Sequence, residues 1–260
     1  MLNGRVYADN KESVVWIFTE EFRKKLKHNI IEGVFPRRCP VCGEVVDEPD
    51  RKICPDCQPE LHMLQEPVCK VCGRELHDEL AERCNCCQRH RFSFEYGMVL
   101  MEYNRAAAVS MAAVKYGGAK EYLDYYAEEV VKRYGKQIKR LNIDAIVPVP
   151  VHKERLKKRG YNQAEVLADH LGAELGIPVC RDALKRKRKT EASKELGAAE
   201  RLKNLGKAFC EGEVPDGLYT ALLVDDIFTT GATMEACTRV LKSAGVEKVY
   251  VLSLCAASDI

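Results

Sequence analysis

The sequence lacks the features that would insert the chain into a membrane or mark it for export. No apolar run approaches the ~18 residues that a membrane-spanning helix needs. The first residues include the charged side chains of Arg5, Asp9 and Lys11, where a secretory signal peptide would have an apolar segment. These absences predict a cytoplasmic protein without membrane insertion.

A strong overall charge is also absent, because the formal net charge is only +2. The basic residues are nevertheless concentrated between Val151 and Lys189, where eleven Lys or Arg accompany five Asp or Glu. A uniformly basic chain would point directly to nucleic acid, whereas a basic segment in a near-neutral chain fits either a polyphosphate ligand or a nucleic-acid backbone. Both classes of ligand stay open at this point.

Cysteine is abundant in one segment only. Nine of the thirteen cysteines fall between Cys39 and Cys87, and eight of these repeat at an interval of 30 residues. Each repeat contains two C-x-x-C pairs separated by eleven residues, a spacing that supplies the four thiolates of a tetrahedral structural zinc site. The eight predicted zinc ligands are Cys39, Cys42, Cys54, Cys57, Cys69, Cys72, Cys84 and Cys87.

The cysteine pattern leaves the zinc count and the pairing open. Cys86 could replace Cys84 or Cys87 as a ligand or be a spare thiol, and the repeats could each hold an ion or share their C-x-x-C pairs, which gives one or two ions. Disulfides would use the same residues, but a reducing compartment and the pair spacing favour metal. Because a closed four-cysteine site has no position for a substrate, we interpret the module as structural or as a docking surface.

The segment from Ala221 to Thr233 reads A-L-L-V-D-D-I-F-T-T-G-A-T. Its first residues predict a strand buried on both faces, and two adjacent acids follow where such a strand leaves the sheet. Carboxylates at that place can accept hydrogen bonds from vicinal hydroxyls. The threonine- and glycine-rich turn, which leads into a helix near Met234, offers N–H groups and the helix N-terminus to an anion. The segment therefore predicts a site for a ribose 5-phosphate.

This run resembles the phosphoribosyl pyrophosphate (PRPP) signature of type I phosphoribosyltransferases. The resemblance implies that Asp225 and Asp226 bind the ribose hydroxyls. It also implies that the 5-phosphate is bound by Thr229, Thr230, Gly231, Ala232 and Thr233. The alternative is a solvated strand end followed by threonines that cap a helix, which explains the full ordered run less well.

A second motif follows the predicted strand 143–149 and reads P-V-P-V-H-K-E-R-L-K-K-R-G-Y-N-Q-A. It is similar to the corresponding segment of the ComF competence family, the ComFC and GntX-like proteins, which also carry an N-terminal four-cysteine zinc motif. The resemblance implies a pyrophosphate-binding loop, and the arginine fork suits phosphate oxygens. The alternative for the charged run is a solvated helix face. The implied pyrophosphate-binding residues are Val149, Pro150, Val151, His152, Lys153, Arg155 and Arg159.

A third segment resembles the mobile stretch of the same family, which in related enzymes closes over the reaction centre. Thr190, Arg201, Asn204 and Phe209 match its pattern, whereas Ser193 stands where the family usually has glutamine. Any role of that glutamine is therefore in doubt for this chain.

The order of predicted elements defines the fold class. Residues 14–30 predict an amphipathic helix, and beyond residue 93 strands alternate with helices, one of which is expected to run from Glu121 to Tyr134 and to stop at Gly135. Such alternation predicts an α/β parallel sheet of the type I phosphoribosyltransferase class, with a small N-terminal zinc-ribbon module of the four-cysteine kind. The predicted domains are 1–36 (amphipathic helix), 37–92 (double zinc ribbon) and 93–260 (transferase-like domain).

The leading functional hypothesis is a PRPP-binding protein that transfers phosphoribosyl, with Mg²⁺, to an unknown base or amine. No nucleophilic side chain is required, so no catalytic residue is predicted. The alternative is a competence factor that binds single-stranded DNA or the DNA-uptake machinery and uses the PRPP site for a ligand or nucleotide. A third option is a PRPP sensor without turnover. The apolar stripe around Phe18 also makes a homo-oligomer a plausible assembly.

Overall fold

The structure is a computed structural model that describes residues 36–48, 51–187 and 208–258. The chain divides into two compact units, Met1–Cys54 and Pro55–Ile260. In the described part of the first unit, Arg38 and Val45 form an antiparallel bridge. Gly43 closes the turn between them, and its positive φ of 77° favours glycine at that position.

The second unit is built on a four-stranded parallel sheet. Its strands are β1 (Gly97–Glu102), β2 (Ala145–Pro148), β5 (Thr220–Phe228) and β6 (Lys248–Ala256). Their order across the sheet is β1-β6-β5-β2. The continuous apolar runs predicted for strands covered on both faces are found here, since Leu222 and Leu223 in β5 and Val251 in β6 are all buried.

Two short strands, β3 (Leu184–Arg186) and β4 (Phe209–Glu211), pair antiparallel beside the main sheet. The hydrophobic pattern of the sequence does not indicate these two strands. Three-residue strands are too short to show an alternating pattern, so only their pairing across the chain defines them.

All of the described helices except the first lie between parallel strands along the chain. They are α1 (Asn85–Arg89), α2 (Arg105–Tyr116), α3 (Tyr122–Arg140), α4 (Lys153–Arg159), α5 (Gln163–Leu175) and α6 (Ala232–Ser243). Asn104 caps α2 by accepting a hydrogen bond from the N–H of Ala107, and Asn162 caps α5 in the same way from Ala164. Within the described residues, no helix is long and apolar enough to cross a bilayer.

The predicted stop at Gly135 was wrong, because α3 continues through it to Arg140. Gly135 is buried, and an added Cβ would lie 3.7 Å from Leu175 Cδ2 of α5 and 3.3 Å from Val131 Cγ1. The glycine therefore fits the contact between α3 and α5 rather than a helix end.

Two sequence predictions fall on residues that the structure does not describe. They are the amphipathic helix over 14–30 and most of the family's mobile stretch, including Thr190, Ser193, Arg201 and Asn204. Phe209 of that stretch is described, and it lies buried in β4.

Candidate functional site

The two sequence motifs meet at one edge of the parallel sheet. The register between β2 and β5 ends with Pro148 opposite Val224. Strand β5 continues beside β6 as far as Phe228. The loop after Pro148 leaves β2 at this carboxyl edge, where parallel sheets bind their ligands. The prediction that the two acids stand where the strand leaves the sheet was wrong, because β5 includes Asp225 and Asp226 and ends at Phe228.

Asp226 is the more buried of the two acids, with 5% of its surface exposed. Its Oδ2 lies 2.8 Å from Nζ of Lys115, near the end of α2. This lysine could not be found from the sequence, because the pair is separated by more than a hundred residues and α2 shows only an ordinary helical pattern. The lysine compensates a carboxylate that would otherwise be buried without a partner.

Asp225 is the half-buried acid of the pair. Its Oδ1 accepts a hydrogen bond of 2.9 Å from the N–H of Asp226. Burial, and next the charge of Asp226, raise the pKa of Asp225 to about 8, while Lys115 acts in the opposite direction. Asp225 is thus a carboxyl that can be protonated near neutral pH.

Arg186 of β3 belongs to the surroundings of Asp225 and was missed as a site residue. Its guanidinium lies 5.1 Å from the ring centroid of Phe209. Burial lowers the pKa of Arg186, as does the nearby charge of Arg155, whereas Asp225 raises it. A cation from a separate strand pair therefore lies in the electrostatic environment of the first acid.

The predicted 5-phosphate loop, residues 229–233, lies between β5 and α6. Thr229 is exposed and Thr230 and Thr233 are half-buried, while Gly231 and Ala232 are buried. Gly231 is the residue just before α6 and has a φ of 75°. The loop thus ends on the first turn of a twelve-residue helix, whose N–H groups can bind an anion.

The predicted pyrophosphate loop is held at both ends. The N–H of Val149 donates to the carbonyl of Val224 over 2.9 Å. Nδ2 of Asn162, which is buried, donates to the Val149 carbonyl over 3.1 Å and to Oε1 of Glu165 over 3.0 Å. Asn162 therefore links the loop to the cap of α5, which makes it a supporting residue.

The residues of this loop and of the helix that follows it differ in exposure and in partners. Pro150, Val151 and His152 are half-buried, and His152 Nδ1 accepts a hydrogen bond from the N–H of Glu154 at the start of α4. Lys153 and Arg155 are exposed. Arg159 instead donates to Oε1 of Gln163 over 2.8 Å and lies 5.3 Å from the ring of Tyr116.

The cysteines form the two predicted groups. In the first, Sγ of Cys54 lies 3.8 Å from that of Cys42 and 3.6 Å from that of Cys39, and Cys57, three residues further along the chain, is the fourth member. In the second, the four sulfurs lie within 4.8 Å of one another. This second group consists of Cys69, Cys72, Cys84 and Cys87, all buried.

The second group fits a tetrahedral zinc ion. A tetrahedron with Zn–S bonds of about 2.3 Å has edges of about 3.8 Å, and the sulfurs of Cys72 and Cys84 are 3.7 Å apart. Sulfur–sulfur hydrogen bonds within the group lower the pKa of Cys69 and raise the pKa of Cys72 and Cys87, because the close thiols share their protons. Cys86 does not belong to the group, so Cys84 and Cys87 form its last pair.

Two family models match the chain. The double zinc ribbon domain matches residues 30–88, and the phosphoribosyl transferase domain matches residues 118–259. The predicted zinc ribbons and the predicted transferase-type fold are thereby confirmed.

The chain is also similar to curated proteins with related names. Competence protein F of Haemophilus influenzae is 37% identical over 118 residues, which cover 44% of this chain and 51% of that protein. DNA utilization protein YhgH of Escherichia coli K12 is 35% identical over 43% of this chain and 49% of that protein. Competence protein ComFC of Streptococcus pneumoniae is 30% identical over 60% of this chain and 66% of that protein. The chain thus spans about half the length of the first two relatives.

The solved structures that match the chain do so at low identity and low TM-score. Orotate phosphoribosyltransferase from Aeropyrum pernix is 18% identical, with a TM-score of 0.32 over 53% of this chain and 61% of that chain. Adenine phosphoribosyltransferase from Leishmania tarentolae is 14% identical, with a TM-score of 0.33 over 57% and 80%. Because the domain match covers more than half of the sequence, the chain belongs to the phosphoribosyl transferase domain family, and its resemblance to the ComF competence proteins is confirmed by relatives that carry those names.

Proposed function

We propose that this protein binds PRPP with Mg²⁺ and transfers the phosphoribosyl group to a base or amine. One observation carries the proposal. The acid pair directly follows Val224 in β5, the phosphate loop follows the end of the same strand, and the predicted pyrophosphate loop follows Pro148 of the adjacent β2, which pairs with Val224. A ligand with a phosphate at one end and a pyrophosphate at the other could contact both loops from that edge.

The acid pair would bind the ribose. Asp226, held by Lys115, is placed to accept a hydrogen bond as a carboxylate. Asp225, whose pKa is raised to about 8, can also donate one when it is protonated. Two vicinal hydroxyls, each both donor and acceptor, match such a pair.

The two loops would bind the ends of the ligand. The 5-phosphate would lie at the N–H groups of residues 229–233 and the start of α6. The pyrophosphate would lie at the loop 149–153, near the exposed cations Lys153 and Arg155. Mg²⁺, when bound with the pyrophosphate oxygens, would supply further positive charge.

The reaction would be a displacement at the anomeric carbon. The bond from that carbon to pyrophosphate breaks, the electron pair leaves with pyrophosphate, and a bond to the acceptor nitrogen forms. The chain would position the reactants and neutralise charge, and no covalent intermediate is needed. The acceptor nitrogen would release its proton to water or to a nearby carboxylate.

Calorimetry tests the binding step. We expect Mg²⁺ and PRPP to bind the wild type, and Asp226→Asn to weaken binding by about tenfold or more, as loss of a charged hydrogen bond does. Asp216→Asn is the matched control, because Asp216 is exposed outside the site. A folded wild-type protein that does not bind PRPP would refute the proposal.

Pyrophosphate release tests the transfer step. Nucleobases and amines are screened as acceptors at saturating PRPP. Release that depends on an added acceptor supports transfer. Tight PRPP binding without release by any acceptor supports a sensor instead.

A second candidate function is the binding of single-stranded DNA in competence. Helix α4 exposes Lys153, Arg155, Lys157 and Lys158, and relatives are named competence and DNA utilization proteins. If this function holds, single-stranded DNA binds with a steep salt dependence, and Lys157→Gln with Lys158→Gln lowers the salt slope. Binding that salt and these substitutions leave unchanged would exclude it.

A further inference from the structure

An arginine of the second zinc ribbon is bonded to the backbone of the predicted phosphate loop. Arg74 follows Cys72 and Gly73, and it is 5% exposed. Its Nη2 donates a hydrogen bond of 2.6 Å to the carbonyl of Thr229. The guanidinium also lies 5.6 Å from the ring centroid of Phe228. The long, charged side chain of Arg74 is thus buried, and it donates to the backbone carbonyl of Thr229.

A second side chain of the same ribbon donates to the next carbonyl of the phosphate loop. Sγ of Cys86, which lies in α1 between two zinc ligands, donates to the carbonyl of Thr230 at 3.8 Å. A trans peptide group is planar, and its C=O and N–H point in opposite directions. Holding the carbonyls of Thr229 and Thr230 toward the ribbon therefore turns the N–H groups of Thr230 and Gly231 away from it.

The segment after the second ribbon supports the same loop. The rings of Phe92 and Phe94 stack with centroids 4.9 Å apart, and both meet Phe228 edge-on at 6.4 Å. A Cβ added to Gly231 would lie 2.7 Å from Phe92. Ser93 donates from its N–H to Glu235, in the first turn of α6, over 2.6 Å. The loop and the helix start are fixed from one side.

The zinc site itself does not require these two side chains. The ribbons repeat at an interval of 30 residues, and the first ribbon has Glu44 where the second has Arg74, and Asp56 where the second has Cys86. Both ribbons keep the four cysteines and the glycine after the first pair. The side chains that contact the phosphate loop, Arg74 and Cys86, therefore occur in the second ribbon and have no equivalent at the same positions of the first.

We propose that the second zinc ribbon orients the 5-phosphate loop, with Arg74 as a positioning residue, so that zinc in this ribbon and a phosphate ligand at the loop bind cooperatively. The identity of the ligand rests on the function proposed above. Zinc fixes the backbone from which Arg74 and Cys86 reach the loop. Because coupling between the affinities of two binding sites is reciprocal, the ligand must also raise the zinc affinity of this ribbon.

The experiment uses the full-length, zinc-loaded chain. Arg74→Met removes the donor, and Arg74→Lys keeps the charge with a single-point donor. Cys72→Ser opens the second zinc site, and Cys42→Ser, at the same position of the first ribbon, is the matched control. Three readouts are taken: calorimetric binding of PRPP with Mg²⁺, zinc release to a chromogenic chelator with and without PRPP, and hydrogen exchange of residues 229–233 without ligand.

We expect Arg74→Met and Cys72→Ser to weaken PRPP binding by about tenfold or more, with Arg74→Lys intermediate and Cys42→Ser close to the wild type. PRPP should slow the release of one zinc ion, and Arg74→Met should remove that protection. Amide exchange in the loop should be faster in Arg74→Met and Cys72→Ser than in Cys42→Ser.

Equal PRPP binding and equal loop exchange in Arg74→Met and the wild type would overturn the proposal. If the wild type binds no PRPP, the proposed function fails, and the exchange data still decide this inference, since loop protection must depend on Arg74 and Cys72. If Arg74→Met does not fold, Arg74→Lys tests the proposal instead. Loop exchange and PRPP affinity equal to the wild type in Arg74→Lys would show that the guanidinium of Arg74 does not orient the loop, and would overturn the proposal.

Discussion

Lys115 Nζ lies 2.8 Å from Oδ2 of Asp226, which joins the end of α2 to the acid pair of β5. The lysine side chain is 18% exposed and the aspartate side chain 8%. The ion pair gives this buried carboxylate a partner of opposite charge. The helix before the matched transferase region therefore maintains one of the two predicted ribose ligands.

Lys115→Met should destabilise the fold and weaken PRPP binding. Removing one partner of a buried pair leaves the other charge uncompensated, at a cost of about 3–5 kcal/mol. Urea unfolding and calorimetry measure the two effects. Lys120→Met is the matched control, because Lys120 is exposed in the following turn, and it should leave both quantities unchanged.

The double variant Lys115→Met with Asp226→Asn distinguishes the ion pair from the lost packing of the lysine stem. With the buried charge removed, the double variant should be more stable than Lys115→Met alone. A double variant that is less stable than either single variant would contradict the role given to this pair.

Asp225 should make the stability of the protein fall as pH rises. Its folded pKa is about 8 against an ordinary value of 3.8, so between these values the unfolded chain has released a proton that the folded chain keeps. The free energy of unfolding therefore decreases as pH rises across this range, with a slope of at most about 1.4 kcal/mol per pH unit. Above about pH 8 this group causes no further decrease.

Asp225→Asn isolates this effect, because the amide oxygen can still accept the hydrogen bond from Asp226 and does not titrate. The free energy of unfolding of the wild type, relative to this variant, should decrease between about pH 5 and about pH 8. Urea titrations at several pH values in that range measure it, with Asp216→Asn as the control. A constant difference would show that the pKa of Asp225 is not raised.

The acid pair and the two loops could be predicted from sequence because each is continuous in the chain. Strand, acids and turn appear in order, so Asp225 and the loop 229–233 follow from local patterns and from the family resemblance. Lys115 and Arg74 could not be found in this way. Each acts on the site across more than a hundred residues, and neither stands in a motif that marks such a partner.

The fold, like the site, could be predicted from the sequence only where a pattern is continuous along the chain. The strand predicted over 143–149 and the helix predicted near Met234 correspond to β2 and α6. Gly135 was misread as a stop, since a glycine that allows two helices to approach looks the same in sequence as a glycine that ends one. The pairing of β3 with β4 depends on contacts between distant residues, which hydrophobic periodicity does not record.

Gly231→Ala should abolish binding of the phosphate end of PRPP. A positive φ costs a residue with a Cβ about 1–2 kcal/mol. The new methyl group would also lie 2.7 Å from Phe92 Cε1 and 2.8 Å from Phe228 Cζ, and such overpacking costs a further ~1–3 kcal/mol. Thermal unfolding and calorimetry with ribose 5-phosphate measure the result.

Gly217→Ala is the control for backbone strain alone. Gly217 has a φ of 84° and nothing within 4 Å of an added Cβ. This variant should show only the smaller loss of stability, with unchanged ligand binding. Equal effects of the two substitutions would mean that the space around the phosphate loop is less restricted than the structure indicates.

Asn162→Asp should keep the hydrogen bond that caps α5 and remove the hydrogen bond that supports the pyrophosphate loop. Aspartate keeps the oxygen that accepts from Ala164 but lacks the Nδ2 donor to the Val149 carbonyl and to Glu165. The variant should therefore bind pyrophosphate more weakly while ribose 5-phosphate binds as before. Competition calorimetry measures both ligands, and a parallel loss for the two would indicate general destabilisation instead.

Metal analysis should find two zinc ions per chain, because each group of four cysteines supplies a complete ligand set. Cys87→Ser should remove one ion, whereas Cys86→Ser should keep both, since the Cys86 sulfur lies toward the Thr230 carbonyl and outside the group. Zinc per chain is measured by mass spectrometry after dialysis. If Cys86→Ser loses an ion, the last pair of the second ribbon would instead include Cys86, and the contact of that thiol with the phosphate loop would have to be given up.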